Sequence, residues 1–365
     1  MALVVAGHPL NTQEGIDKIT STDKITSAYF SDSVTQLNAS SIHSASVSDT
    51  NEVYYYGIAK DNTTGSVQFH VSYGNFNGKG GNSDSDNLKS PTEVTYKQWT
   101  NTLLAENEVT GGFFISSPAS DSAVSSGKDN DIYVLVSKRS LMKDRLNKKN
   151  WTLVLSGSNT ANTAGQILHL TDDSSTVAAT ATPAGPRYNI VSGSQGTVVS
   201  ASTAKTFGWF YPDQGVLLFS GAELSASING SGSQINTAAV YNDATFRGFG
   251  VTSNENADYN NALRFVNCLK PSGAYIKFRD EEDQTSVSYF CRVRAGESNF
   301  SNNPTFVSGT LNEIRQETMK GNPTVYVTGV ELYDNVGNMV ATGKLSTPLK
   351  KNFSSEATIK VKLTY

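Results

Sequence analysis

Thr324-Val325-Tyr326-Val327-Thr328-Gly329-Val330-Glu331-Leu332-Tyr333 runs into Asp334-Asn335-Val336-Gly337-Asn338, and Met339 to Leu345 follow. The first run is β-branched and aromatic, the second supplies turn chemistry, and the third returns, so the segment predicts strand, turn, strand. Ser346 to Phe353, with Lys350 and Lys351, then reads as a basic loop. Beyond it Ile359, Val361, Leu363 and Tyr365 alternate strictly with Thr358, Lys360, Lys362 and Thr364. Period two marks a half-buried strand, and a chain ending inside a strand has that end tied into a sheet, here expected to be the domain's own. Nothing catalytic lies in this stretch.

The same patterns recur upstream. Residues 52–59 and 67–73 predict a hairpin about the turn 61–65, with Val67, Phe69, Val71 and Tyr73 on one face, and 75–90 read as a glycine-rich surface loop. A short helix is expected over 91–104, where Tyr96, Trp99, Leu103 and Leu104 share a face. A strand at 131–136, a second short helix at 141–146 and a strand at 151–155 come next. Residues 156–182 read mostly as loops around a strand at 167–170, and strands follow at 188–194 and on both sides of Pro212-Asp213-Gln214-Gly215. A third helix is expected over 259–269, stopped by Pro271-Ser272-Gly273. The runs 275–279 and 286–294 flank Asp280-Glu281-Glu282-Asp283 and read as a hairpin with an acidic tip. The expectation is a mainly β chain of antiparallel β-sandwich or barrel-like domains with a few short helices. Its segments are an extended, Ser/Thr/Asp-rich N-terminal arm (1–50), a β domain with two short helices (51–156), a loop-rich central β region (157–255) and a C-terminal β domain (256–365). No period of about 20–50 residues points to a solenoid or propeller.

Composition narrows the class. Of 365 residues 37% are hydrophobic and only 17% charged, below the usual quarter or so. A net charge of -4 with no basic domain argues against nucleic-acid binding. No apolar run approaches the roughly 18 residues of a membrane helix. Met1 to Pro9 lacks a basic segment and makes a poor signal peptide, so folding in a cytoplasm is expected. Cys268 and Cys291 form no disulfide framework and are expected as buried thiols, a single pairing remaining open.

Catalytic constellations are thin. His8, His43, His70 and His169 lie far apart, without zinc-like spacing, and no nucleophile elbow, phosphate loop or dinucleotide fingerprint occurs. Asn82, Asp84, Asp86 and Glu93 match the first, third, fifth and twelfth positions of a calcium loop. A neutral first ligand, and Asn87 where glycine is required, favour an ordinary solvated loop. Asp280 to Asp283 offer paired carboxylates, but four adjacent acids at a hairpin tip usually form a solvated turn. Tyr54, Tyr55 and Tyr56, with Trp209, Phe210 and Tyr211, suggest a sugar-binding face, although consecutive strand aromatics point to both faces and half belong to packing. No catalytic, cofactor-binding or metal residue is assigned, and a non-enzymatic chain without cofactor is expected.

At this point the residues carry a resemblance. Tyr54 to Asp61, Val71-Ser72-Tyr73-Gly74, Tyr96 to Leu104, Phe210 to Val216 and Phe300 to Tyr365, above all Asn322 to Tyr326, Lys344 to Pro348 and Phe353 to Leu363, resemble virion structural proteins of contractile-tailed (myovirus) bacteriophages, notably cyanophages. The resemblance covers most of the chain from about residue 50. It implies a structural subunit of the virion, in the tail and above all its baseplate, that holds other virion proteins, homo-oligomerisation remaining open. It supplies no active-site residues. The segments expected to meet partners are 1–50, 74–90 and Lys350-Lys351-Asn352-Phe353. A receptor- or glycan-binding tail-fibre module and a polysaccharide-degrading virion enzyme remain alternatives, the latter requiring two carboxylates facing each other across a groove.

Overall fold

A computed structural model gives the fold. It describes residues 2–5, 8–10, 16–30, 42–47, 52–59, 66–78, 91–106, 108, 112–115, 128–157, 166–199, 205–228, 249, 261–271, 273–300 and 303–365, with backbone alone for 2–5, 8–10, 16–17, 42–47 and 52–54. In chain order the strands are β1 (Ala2–Val5), β2 (His8–Leu10), β3 (Ile16–Phe30), β4 (Ile42–Val47), β5 (Glu52–Ala59), β6 (Val67–Asn75), β7 (Asp131–Ser137), β8 (Arg145–Leu146), β9 (Thr152–Ser156), β10 (Ile167–Asp172), β11 (Thr180–Thr182), β12 (Gly185–Ser194), β13 (Thr197–Val198), β14 (Thr206–Tyr211), β15 (Val216–Ser220), β16 (Tyr275–Val293), β17 (Val307–Ser308), β18 (Glu313–Ile314), β19 (Val325–Tyr333), β20 (Met339–Lys351) and β21 (Ala357–Thr364). The described helices are α1 (Pro91–Leu103), α2 (Gly221–Ser227) and α3 (Asn261–Leu269). The chain is mainly β, with large antiparallel sheets that include a curled half-barrel. It divides into two compact units, Ile25–Glu282 and Met1–Lys24 with Asp283–Tyr365.

In the larger unit the antiparallel order is β16-β9-β10-β12-β14-β15-β7-β6-β5-β4. The central strands are apolar on both sides because both faces are covered. Tyr133, Leu135, Phe210, Leu217 and Phe219 point into the concave core, where Phe265, Val266 and Leu269 of α3 join them. Ile132, Val134, Trp209, Tyr211 and Leu218 face the other way, under Tyr96, Leu103 and Leu104 at α1. The curl is visible in one contact. β6 and β16 stand seven strand spacings apart, about 34 Å in a flat sheet, yet the rings of Phe69 and Phe278 lie 5.0 Å apart. Tyr29 and Phe30 of β3 pack on the same Phe69 ring at 5.2 and 5.7 Å. Trp151, wholly buried, stacks on Phe278 at 5.0 Å and packs on Phe210 at 5.3 Å.

The smaller unit holds the sheet β2-β1-β19-β20 and the pairing of β21 with the second half of β16. Register sets Leu363 opposite Val287, Val361 opposite Tyr289, Ile359 opposite Cys291 and Ala357 opposite Val293. These side chains share a core with Val327, Val330 and Leu332 of β19. The alternation of the final strand therefore faces its own unit's core, as expected, with burial fading outward to an exposed Tyr365.

Hairpin β5–β6, helix α1, and the strand regions at β7, β9, β10, β12, β14 and β15 appear where sequence places them, and α3 lies within the expected 259–269. Five expectations are corrected. Residues 141–146 form a turn and β8, not a helix, because their backbone is committed elsewhere. The Leu141 and Met142 amides donate to the Lys138 carbonyl, and Leu146 donates to Pro212 while β8 pairs with Asp280 and Glu281. The acidic stretch is no hairpin tip, since β16 runs unbroken through it. The described parts of 1–50 are not a separate arm but strands paired within the chain: β1 with β19, β3 with β16, and β4 with β5. Ile, Thr and Ser dominate β3, and β-branched residues suit extended backbone even where little is buried. The supposed basic loop is the end of β20, with Lys350 and Lys351 paired to Tyr326 and Val325. The boundary placed at 156 falls inside one sheet, since β7 pairs with β15 and β9 with β10.

Candidate functional site

The four candidate acids of β16 each have a partner. Asp280 and Glu281 are buried. Ser27 donates to Asp280 at 2.5 Å, Arg145 pairs with Glu281 at 3.1 Å beside an Asn147 hydrogen bond, and Lys143 meets Glu282 at 2.6 Å. Lys24 stands 3.8 Å from Asp283. Carboxylates so occupied anchor a long strand and offer no acid–base pair. Glu93 lies in the first turn of α1 and pairs with Lys97 one turn on. Asn82, Asp84 and Asp86 lie outside the described residues, as do 79–90 of the loop expected to meet partners.

Register sets His43 and His70 on either side of Gly57, on β4 and β6. His169 is exposed on β10, whereas His70 packs its ring 5.3 Å from Tyr55, and burial, with Lys138 nearby, lowers its pKa. The side chains of His8 and His43 are outside the described set. Among the described residues no group of three or more His, Cys, Asp or Glu is placed to hold a metal ion. Both cysteines are buried, and burial raises the pKa of the Cys291 thiol to about 11.

The aromatics weighed for a sugar-binding face are core residues at β14, as their alternation favours. Trp209, Phe210 and Tyr211 are all buried, and the Arg187 guanidinium lies 4.0 Å over Trp209 while pairing with Glu108 at 3.3 Å. Tyr56 is buried and Tyr55 exposed, in keeping with alternation; the Tyr54 side chain is not among those described.

A buried polar cluster escaped the sequence reading. Asp129 accepts from Ser220, which also caps α2 at the Glu223 amide, and from the Ile115 amide at 2.9 Å. Asp131 accepts from Tyr73 and, at 2.7 Å, from Asn75. Asp131 falls at the start of the expected strand, and only tertiary packing shows that Asp129 and Asp131 both turn inward. Burial, above all, raises the pKa of Asp131, against the Tyr73 and Asn75 hydrogen bonds and the Arg264 charge. The folded chain thus holds this proton to higher pH than the unfolded chain. Its contribution to stability falls as pH rises from the unfolded value near 3.9 through the raised one, and stays unfavourable above it. Asp131→Asn keeps an acceptor for Tyr73 and removes the buried charge. It is expected to melt above the parent at pH 7, with an advantage that shrinks on acidification. An advantage constant with pH would contradict this assignment.

In the smaller unit β20 is largely exposed. Of the thirteen residues of β20 only Lys351 is buried, and Met339, Val340 and Leu349 expose apolar side chains. Lys350 and Phe353 are exposed. Lys351 instead is wholly buried, its ammonium donating to Ala295 O at 3.1 Å, Asn299 Oδ1 at 2.8 Å and Glu297 O. That lysine is removed from any partner surface.

The β19–β20 ladder also breaks register. Val327 pairs with Leu349, but Gly329 pairs with Lys344, so Leu345 to Pro348 stand opposite Thr328 alone. An open cavity of about 820 Å³ results, lined among others by Gly329, Glu331, Tyr333, Thr342, Lys344 and Ser346. The chain matches no protein-family model, no curated protein and no solved structure.

Proposed function

We propose that this chain is a non-enzymatic structural subunit of a contractile-tailed phage particle, placed in the tail or baseplate. The observation that carries the reading is β20, an outer strand of the sheet β2-β1-β19-β20 that is exposed along most of its length, with Ala341 and Leu345 half-buried against the core and Lys351 buried. An exposed strand edge presents unpaired backbone groups and is a ready template for another chain. Here it bears Val340 and Leu349 together with Lys344 and Lys350, and so offers apolar contact flanked by charge. The engaged state of Asp280, Glu281 and Glu282 supports a scaffold over a polysaccharide-degrading enzyme. The resemblance from residue 322 onward lies in this same unit.

Mass spectrometry of density-banded particles tests the reading. The protein is expected at a fixed stoichiometry with other tail components after high-salt washing. Recovery only in the soluble lysate would overturn it.

A further inference from the structure

We propose that the cavity at the β19–β20 register break binds a neutral, hydroxyl-rich ligand, a sugar residue of a glycan. This goes beyond the structural role and does not depend on it.

The cavity follows from the sequence. The ladder sums shift by three residues across Thr328, so β20 arches out through Leu345 to Pro348. Val330 and Leu332 point into the core, and alternation turns Gly329, Glu331 and Tyr333 outward. Register sets Thr342 beside Glu331 and Lys344 beside Gly329. With no side chain at Gly329, the cavity is left open, with Glu331 and Lys344 both in its lining.

The lining chemistry selects the ligand. The Tyr333 hydroxyl donates to Glu331 Oε2 at 2.6 Å, which orients that carboxylate, and the bond raises the Tyr333 pKa. Glu331 accepts, Lys344 donates, and the Thr342 and Ser346 hydroxyls do both. An anionic ligand would meet Glu331 and a cationic one Lys344, whereas a sugar's hydroxyls donate to the first and accept from the second. The volume fits small-ligand sites of about 300–1,000 Å³.

The test is saturation-transfer NMR on the full chain with millimolar glucose, galactose, mannose, N-acetylglucosamine, maltose and lactose as probes. At least one is expected to show transfer. Glu331→Gln and Lys344→Met are each expected to weaken its binding about tenfold, the loss of roughly one hydrogen bond to a charged group. Gly329→Leu should abolish it by filling the cavity. A Cβ there already meets the Gly343 carbonyl at 3.0 Å, so the exposed Lys344→Met, whose fold is checked by circular dichroism, keeps the test decisive. No transfer from any probe, transfer unchanged in Glu331→Gln and Lys344→Met, or binding of inorganic phosphate in place of the sugars would each overturn the proposal.

Discussion

Lys351→Met is expected to destabilise the protein by about 3 kcal/mol, because two oxygens, Glu297 O and Asn299 Oδ1, lose a buried donor together. Ala295 O keeps the Asn299 Nδ2 bond at 2.6 Å. An ammonium has three donors, and Lys351 gives them to three acceptors of the turn that follows β16, so charge and turn are satisfied at once. Methionine matches the stem and supplies no proton. The adjacent Lys350→Met is the control: its side chain is exposed and the change should fall within about 0.5 kcal/mol. Urea denaturation of both variants measures the contrast. Equal, small losses would show that the turn does not depend on the ammonium.

Phe69→Ala is expected to cost about 3–5 kcal/mol, the range for deleting a fully buried aromatic. Its ring touches Tyr29, Phe30 and Phe278. Its deletion therefore removes the packing that holds the two ends of an eight-strand run together. Phe69→Leu, which keeps much of the volume, should cost about 1.5 kcal/mol or less. An alanine variant as stable as the leucine variant would mean that the curl is held by other contacts.

Most of the strands were legible because they obey a local rule. Val67 to Tyr73 and Ile359 to Leu363 alternate, and 132–136 and 216–219 are apolar runs too short for helices. What was illegible depends on distant partners. Asp280 and Glu281 look like a turn until Ser27, Arg145 and Asn147 supply hydrogen bonds and charge from elsewhere in the chain. Lys351 looks like surface until the carbonyls of Ala295 and Glu297 close around it. The helix expected at 141–146 fails for the same reason, since pairing with Asp280 and Glu281 outweighs local propensity. The N-terminal strands lack a strong apolar period. Their extended form is set by the strands they pair with, as Leu3 does opposite Leu332. The cavity was hidden because a three-residue register shift leaves no mark in composition. Only Gly329, a residue without a side chain inside a β-branched run, hinted at it.

The proposed role in a phage tail is tested most directly by immunogold labelling of intact particles with antibody raised against the purified chain, read by electron microscopy. The account predicts gold at the tail, concentrated toward the baseplate. Particles that stay unlabelled under conditions that label a known tail protein, with the antigen confined to the unassembled fraction, would contradict it.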